Sequence, residues 1–412
     1  DVPFHEDENQ AAFAGFAWRT FASLNWPASR EASIRGAAHR GRTLRDPGPR
    51  VWESFKSDIE LFPWDGDRRV APTAWSSYAG PNPCGADNRE KTVASFRPFA
   101  DFNQPSFMAG APANPLVAQN RTYTRYEIHV NEAEFTTFAA KGWSLGQHLP
   151  DEGRPADFPA GSVSVKAAWR QLTAADPPDS RARYYVVRAN VVDVAKTLAA
   201  RRIVCSKEEL ALVGLHIAIK TRSRPQWIWS SFEHVDNVPP AENAAGGEPD
   251  AKNAGVPYGY FDPAKPRKLW PPFGSKETLP LSDDNPAQAD PTPTQVIRRH
   301  KIDPTVMAIN RVYWATPEIR GSVWANYMLV AVQWPTSREP PGPTNDGAFL
   351  PGGPDAAARD ETYRALAKSS ANLVNTTMET YLQDAPSSCM ACHQATANAR
   401  GHDFVAIEAL DR

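Results

Sequence analysis

Hydrophobic residues along this chain follow two rhythms. Asn9 to Trp26 places Phe13, Phe16, Ala17, Phe21 and Leu24 at helical spacing, which predicts an amphipathic helix ended by Pro27. Residues 29–115 lose this periodicity, apart from a short apolar piece at Val51–Phe62, and read as irregular packed loops. Period-two alternation then predicts strands at Arg121–Val130, Ser162–Arg170 and Arg183–Val192, with Asn131 capping a short helix that carries Phe135 and Phe138. His129, at the end of the first strand, reads as a hydrogen-bonded packing residue. Two further strands are expected at Val312–Trp314 and Ser322–Trp334, the second stopped by Pro335. Thr362–Gln383, with Leu366, Leu373, Met378 and Leu382, predicts a last helix broken by Pro386.

The clearest alternation lies within Leu210–Val238. Val213, Leu215, Ile217 and Ile219 form one face, and Gly214, His216, Ala218 and Lys220 the other. The small neighbours of His216 leave room above the sheet for something flat. Trp227–His234 reads as the returning strand. If the turn pairs Thr221 with Gln226, His216 faces Ser231, with Trp229 and Glu233 as diagonal neighbours on the same face. A slip of one residue would bring His234 in place of Glu233.

Composition changes this picture in two places. Proline is frequent, 39 of 412 residues, so long helices are not expected to dominate. Loops are expected at about 236–295 and 335–360; the first carries Tyr258, Tyr260, Phe261, Trp270 and Phe273 and is expected to lie over the surface rather than swing as a linker. The net charge is −2 with no long basic run, which argues against a nucleic-acid partner, and no apolar run is long enough for a membrane span.

Four cysteines are present. Cys84 and Cys205, far apart in sequence, could pair in an oxidising compartment, closing a loop of about 120 residues, or remain separate buried thiols. The other two lie in Ser388-Cys389-Met390-Ala391-Cys392-His393. Cys-x-x-Cys-His is the attachment signature of haem c: two thioethers hold the ring, and the adjacent histidine becomes an axial iron ligand. A zinc site would want a second ligand pair, and a thioredoxin-like dithiol a βαβ setting; neither is visible. A chance cluster of structural cysteines is the third alternative.

The motif comes late, with nineteen residues after His393 and no methionine among them. In that position it resembles the cytochromes c′. More broadly, SCMACH at 388–393, LVGLHIAIKT at 212–221 and PQWIWSSFEHVDN at 225–237 resemble large bacterial mono-haem proteins of the cytochrome c family. The resemblance implies one covalent haem c held by Cys389, Cys392 and His393. Covalent attachment in bacteria is extracytoplasmic, and the sequence opens at Asp1 without a hydrophobic leader, so a periplasmic protein freed of its signal peptide is expected.

The opposite side of the iron must then be supplied from upstream. His216 leads as sixth ligand, followed by His234, His402 and Met378; Lys166, Trp169 and Arg170 are candidates for contacts to the haem, and arginine suits its propionates. The expected fold is α+β: a β-rich body at 1–360 and a C-terminal helical segment at 361–412 that carries the haem, packed as one unit. The expected function is single-electron transfer with a redox partner protein. The alternative is a haem enzyme, peroxidase-like or acting on another small-molecule substrate at an open iron, with His216 and Glu233 as acid/base residues. A subunit of a larger redox complex is a further expectation.

Overall fold

The alternating run Cys205–Thr221 becomes the longest strand, and the sheet is arranged on it. The computed structural model describes residues 9–29, 31, 34–65, 68–85, 91–93, 116–145, 158–240, 256–265, 291–334, 375–380 and 383. In chain order the strands are β1 (Lys56–Ser57), β2 (Trp64–Asp65), β3 (Arg68–Arg69), β4 (Thr92–Val93), β5 (Thr124–Val130), β6 (Val163–Gln171), β7 (Val186–Val192), β8 (Cys205–Thr221), β9 (Arg224–His234) and β10 (Tyr327–Gln333). The helices are α1 (Gln10–Leu24), α2 (Asp58–Leu61), α3 (Glu132–Lys141), α4 (Pro178–Arg181), α5 (Val194–Ala200) and α6 (Pro304–Ala315).

Strands β1, β5, β6 and β8 lie side by side and antiparallel. The far edge of β8 is shared end to end: β7 pairs along Cys205–Ala211 and β9 along Gly214–Thr221. β10 continues the sheet beyond β9, and β4 joins β7 in parallel. β2 and β3 form a separate ribbon. Among the described residues no helix is long and apolar enough to cross a membrane.

Cross-strand partners share a face. The back face is covered by α1 and α6. The aromatic stripe predicted for α1 packs there, Phe21 stacking on Phe232 at 4.2 Å and Phe13 on Trp334 at 4.1 Å. Trp18 donates its indole N–H to Asn310 of α6. Asn9 caps α1, and Asn131 caps α3 as predicted. On the front face α3 roofs one apolar cluster, with Phe135, Phe138, Trp143 and Trp229. A second holds Tyr126, Val213, Tyr260 and Met378.

The expected α+β fold is corrected by the structure, and the haem-bearing end of the expected C-terminal helical segment lies outside the described residues. The described structure is a mostly antiparallel sheet with few helices, and residues 376–378, inside the helix predicted over 362–383, are turns. The cause is local: the Asn375 side-chain oxygen accepts from the Thr377 N–H and hydroxyl, which offers this backbone an alternative to helix. Residues 335–374 and 384–412, with Cys389, Cys392, His393, His402 and the loop at 335–360, lie outside the described residues.

Smaller expectations shift too. Val312–Trp314 belongs to α6 rather than to a strand; Asp303 caps that helix and Pro304 opens it. Val323–Asn326, capped by Ser322, turns as a 3-10 helix before β10. The β8–β9 hairpin closes by pairing Thr221 with Arg224, not Gln226, yet His216 still faces Ser231. A bulge reconciles the two, with Trp227 in a left-handed conformation at φ 73°. Cys84 and Cys205 form a disulfide that ties the start of β8 to the loop before β4.

Candidate functional site

The row Ile128, Lys166, His216, Ser231 crosses β5, β6, β8 and β9 on the front face, between the two apolar clusters. The room beside His216 is taken by the chain itself. At Gly214 the turn 375–377 comes so close that a Cβ would sit 2.5 Å from the Thr377 hydroxyl oxygen. Gly214 has an ordinary strand role here, and its missing side chain is what admits the turn.

Hydrogen bonds hold that turn to the sheet. Asn375 donates through Nδ2 to the Ser231 hydroxyl and the Phe232 carbonyl, both at 3.1 Å. Thr376 donates its N–H and hydroxyl to the two oxygens of Glu233, each at 2.6 Å. The Tyr126 hydroxyl donates to the Thr377 carbonyl at 2.7 Å. Farther on, Gln383 accepts from the Arg299 N–H, donates to the Ile297 carbonyl, and its own carbonyl meets His300.

The turn delivers Glu379 to His216, with Oε2 3.5 Å from Nε2 and about 15 % of each side chain exposed. Burial raises the Glu379 carboxyl, but His216, Lys166 and the Asn375 N–H outweigh it and hold it below the ordinary carboxylate range. The His216 Nε2 is buried and meets only that carboxylate among the described residues. Lys166 stands opposite His216, its ammonium 5.4 Å from the Tyr126 ring centroid.

The other sequence candidates are engaged elsewhere. Glu233 shares the front face with His216 but is fully buried and also paired with Arg298 at 2.8 Å, so both of its oxygens are occupied. His234 is stacked on Tyr184 at 3.8 Å; its Nδ1 accepts from the Asp236 N–H, so Nε2 carries the proton and donates to the Arg183 carbonyl. Burial, only partly offset by that bond, pushes the imidazole well below its usual range. Trp169 donates to Glu127 on the back face, Arg170 is paired with Asp176 at 2.6 Å, and Met378 is core. Among the described residues no group of three or more His, Cys, Asp or Glu gathers as metal ligands.

A second ionised cluster, absent from the sequence reading, lies on the back face. Lys91 bridges Glu127 at 2.6 Å and Glu53 at 3.0 Å; Tyr185 donates to Glu53, and His129 Nε2 lies 3.1 Å from Glu127. Burial alone would raise Glu127, but Lys91 and then His129 bring it down to about 2. Burial, with Glu53 beside it, takes Tyr185 well above the usual phenol range. His129 also meets the Phe55 carbonyl through Nδ1 and packs edge-on against Trp52, the hydrogen-bonded packing role expected of it. Its sequence signal was slight: Glu127 and His129 alternate on β5, but Glu53 and Lys91 sit in stretches without periodicity.

Compared with protein-family models, with curated proteins and with solved structures, the chain finds no match in any of the three.

Proposed function

We propose that this chain is a mono-haem c-type cytochrome that exchanges single electrons outside the cytoplasm, with haem c attached through Cys389 and Cys392 and with His393 as axial ligand. The observation that carries the reading is the Cys-x-x-Cys-His motif, which follows directly on a segment pinned to a polar front face. Five residues lie between Gln383 and Cys389, so the chain keeps the attachment point within about 20 Å of Gln383. Haem, when bound there, supplies a one-electron couple.

The chain's own residues do the positioning. Asn375, Thr376 and Gln383 fix the approach of the motif, and His216, whose Nε2 meets only the Glu379 carboxylate, at 3.5 Å, among the described residues, is the histidine we assign to the far side of the iron. The disulfide fits an oxidising compartment such as the periplasm. The partner would be a redox protein, with membership of a larger redox complex the extended form of the proposal.

A second reading, a haem enzyme with an exchangeable iron position, is favoured by the pairing of His216 with Glu379. That pair, rather than Glu233, would handle protons, because the Glu233 oxygens are already taken.

The test is expression alongside a haem-attachment system. A haem absorbance that survives denaturation, and is lost in Cys389→Ala and Cys392→Ala, is expected; a colourless protein refutes both readings. A low-spin spectrum unmoved by cyanide, turning high-spin in His216→Ala, supports electron transfer. A high-spin spectrum that shifts with cyanide supports the enzyme.

A further inference from the structure

We propose that the back-face cavity beside the Lys91 cluster is a binding site for a small organic carboxylate with an apolar body. The inference does not depend on the haem reading.

The described residues leave a cavity of about 1180 Å³ between the segment 28–60, the start of β7 and residues 321–323. That is a little above the usual range of roughly 300–1,000 Å³ for small-molecule sites, and far more than a single inorganic ion fills. Among the described residues its charge is unbalanced. Six cations line it, Arg35, Arg45, Arg50, Lys91, Arg181 and Arg188, against three described carboxylates, Glu53, Glu60 and Glu127. Each carboxylate already has its counter-charge: Arg35 pairs with Glu60, and Lys91 serves both Glu53 and Glu127. Arg181 is spent on Glu209, outside the lining. Arg45, Arg50 and Arg188 have no carboxylate within ion-pair distance among the described residues. Arg45 donates to the carbonyls of Pro317 and Arg320, and Arg188 is exposed at the rim.

Arg50 identifies the missing partner. Its side chain is buried, with the guanidinium carbon 4.7 Å from the Tyr185 ring centroid and 5.2 Å from that of Trp324. One terminal nitrogen donates to the Asn25 carbonyl, and no carboxylate among the described residues lies within ion-pair distance of the guanidinium. A buried guanidinium that lines a cavity is matched best by a carboxylate there. The rest of the lining includes Leu44, Tyr78, Val186 and Val323, against which an apolar body can lie.

Calorimetric titration of the full chain tests this, using benzoate and hexanoate as probes, benzamide and hexanamide as their neutral counterparts, and inorganic phosphate. At least one carboxylate is expected to bind at or below about 1 mM, with its amide weaker by roughly tenfold. Arg50→Lys should weaken binding by roughly tenfold or more. Because Arg50 is buried and its variant can fail for reasons of folding, Arg188→Gln at the exposed rim provides the second arm, expected to weaken binding by roughly threefold. Equal binding of amide and carboxylate, binding of phosphate alone, no carboxylate binding at all, or wild-type affinity in Arg188→Gln would each overturn the proposal.

Discussion

Gly214→Ala tests whether the turn at 375–377 is held by the absence of a side chain on β8. The added methyl would lie 2.5 Å from the Thr377 hydroxyl oxygen and 3.3 Å from both terminal atoms of Asn375. Ordinary contact begins near 3.4 Å, so the turn must retreat by almost 1 Å. It has little slack: the Thr377 hydroxyl is bonded to Asn375, and the Thr377 carbonyl to Tyr126. Forcing a methyl into such packing costs about 1–3 kcal/mol, and replacing a strand glycine returns about 0.5–1 kcal/mol. The net expectation is a loss of up to about 2.5 kcal/mol, centred near about 1 kcal/mol, with faster hydrogen exchange at residues 375–380. Urea unfolding followed by tryptophan fluorescence gives the first quantity, and exchange mass spectrometry the second. Wild-type stability with unchanged protection of the turn would refute the argument.

Glu233→Gln should cost about 3–5 kcal/mol in urea, because it breaks a buried ion pair with Arg298; a loss under 1 kcal/mol would show that the pair is not holding the sheet to the 291–300 segment. Glu127 and Glu379 both have carboxyls below the ordinary range, so their contribution to stability is present above an unfolded value of about 4.5 and is lost as pH falls, through about 2 for Glu127. Glu379→Gln should therefore flatten the acid limb of a stability–pH curve below about pH 4.5, and an unchanged limb would count against the His216 pairing. Reducing the Cys84–Cys205 bond, which spans 121 residues, should lower stability by up to about 4 kcal/mol, read as a shift in the urea midpoint with and without dithiothreitol.

Where chemistry followed a short-range rhythm, it was legible before any coordinates. Alternation in LVGLHIAIKT put His216 and Gly214 on one face, and counting back from the hairpin paired His216 with Ser231. The tip was misjudged because nothing in the string marks Trp227 as the residue that takes a positive φ. Gly214 was rightly read as leaving space, but its occupant, a turn more than 150 residues later, had no local signal. The same limit hid the Glu53–Lys91–Glu127 cluster, whose members meet only after β5 is packed against two irregular segments. The start of α6 was written plainly in Asp303-Pro304, a cap followed by a first-turn proline, but it sits in a Pro-rich stretch where that signal is easily discounted.

The shared edge of β8 has a consequence for the order of folding. β8 and β9 are joined through Arg222 and Ser223 alone, so their pairing closes a very short loop and can form early. β10 must find β9 across roughly ninety residues, and such long-range pairings slow folding. The turn at 375–380 needs Gly214 and Tyr126, Ser231 on the finished hairpin, and Glu233 steadied by Arg298, all in place at once. It is therefore expected to be the last described piece to dock and the first to leave when the chain is stressed, so that release of the segment leading to Cys389 precedes global unfolding.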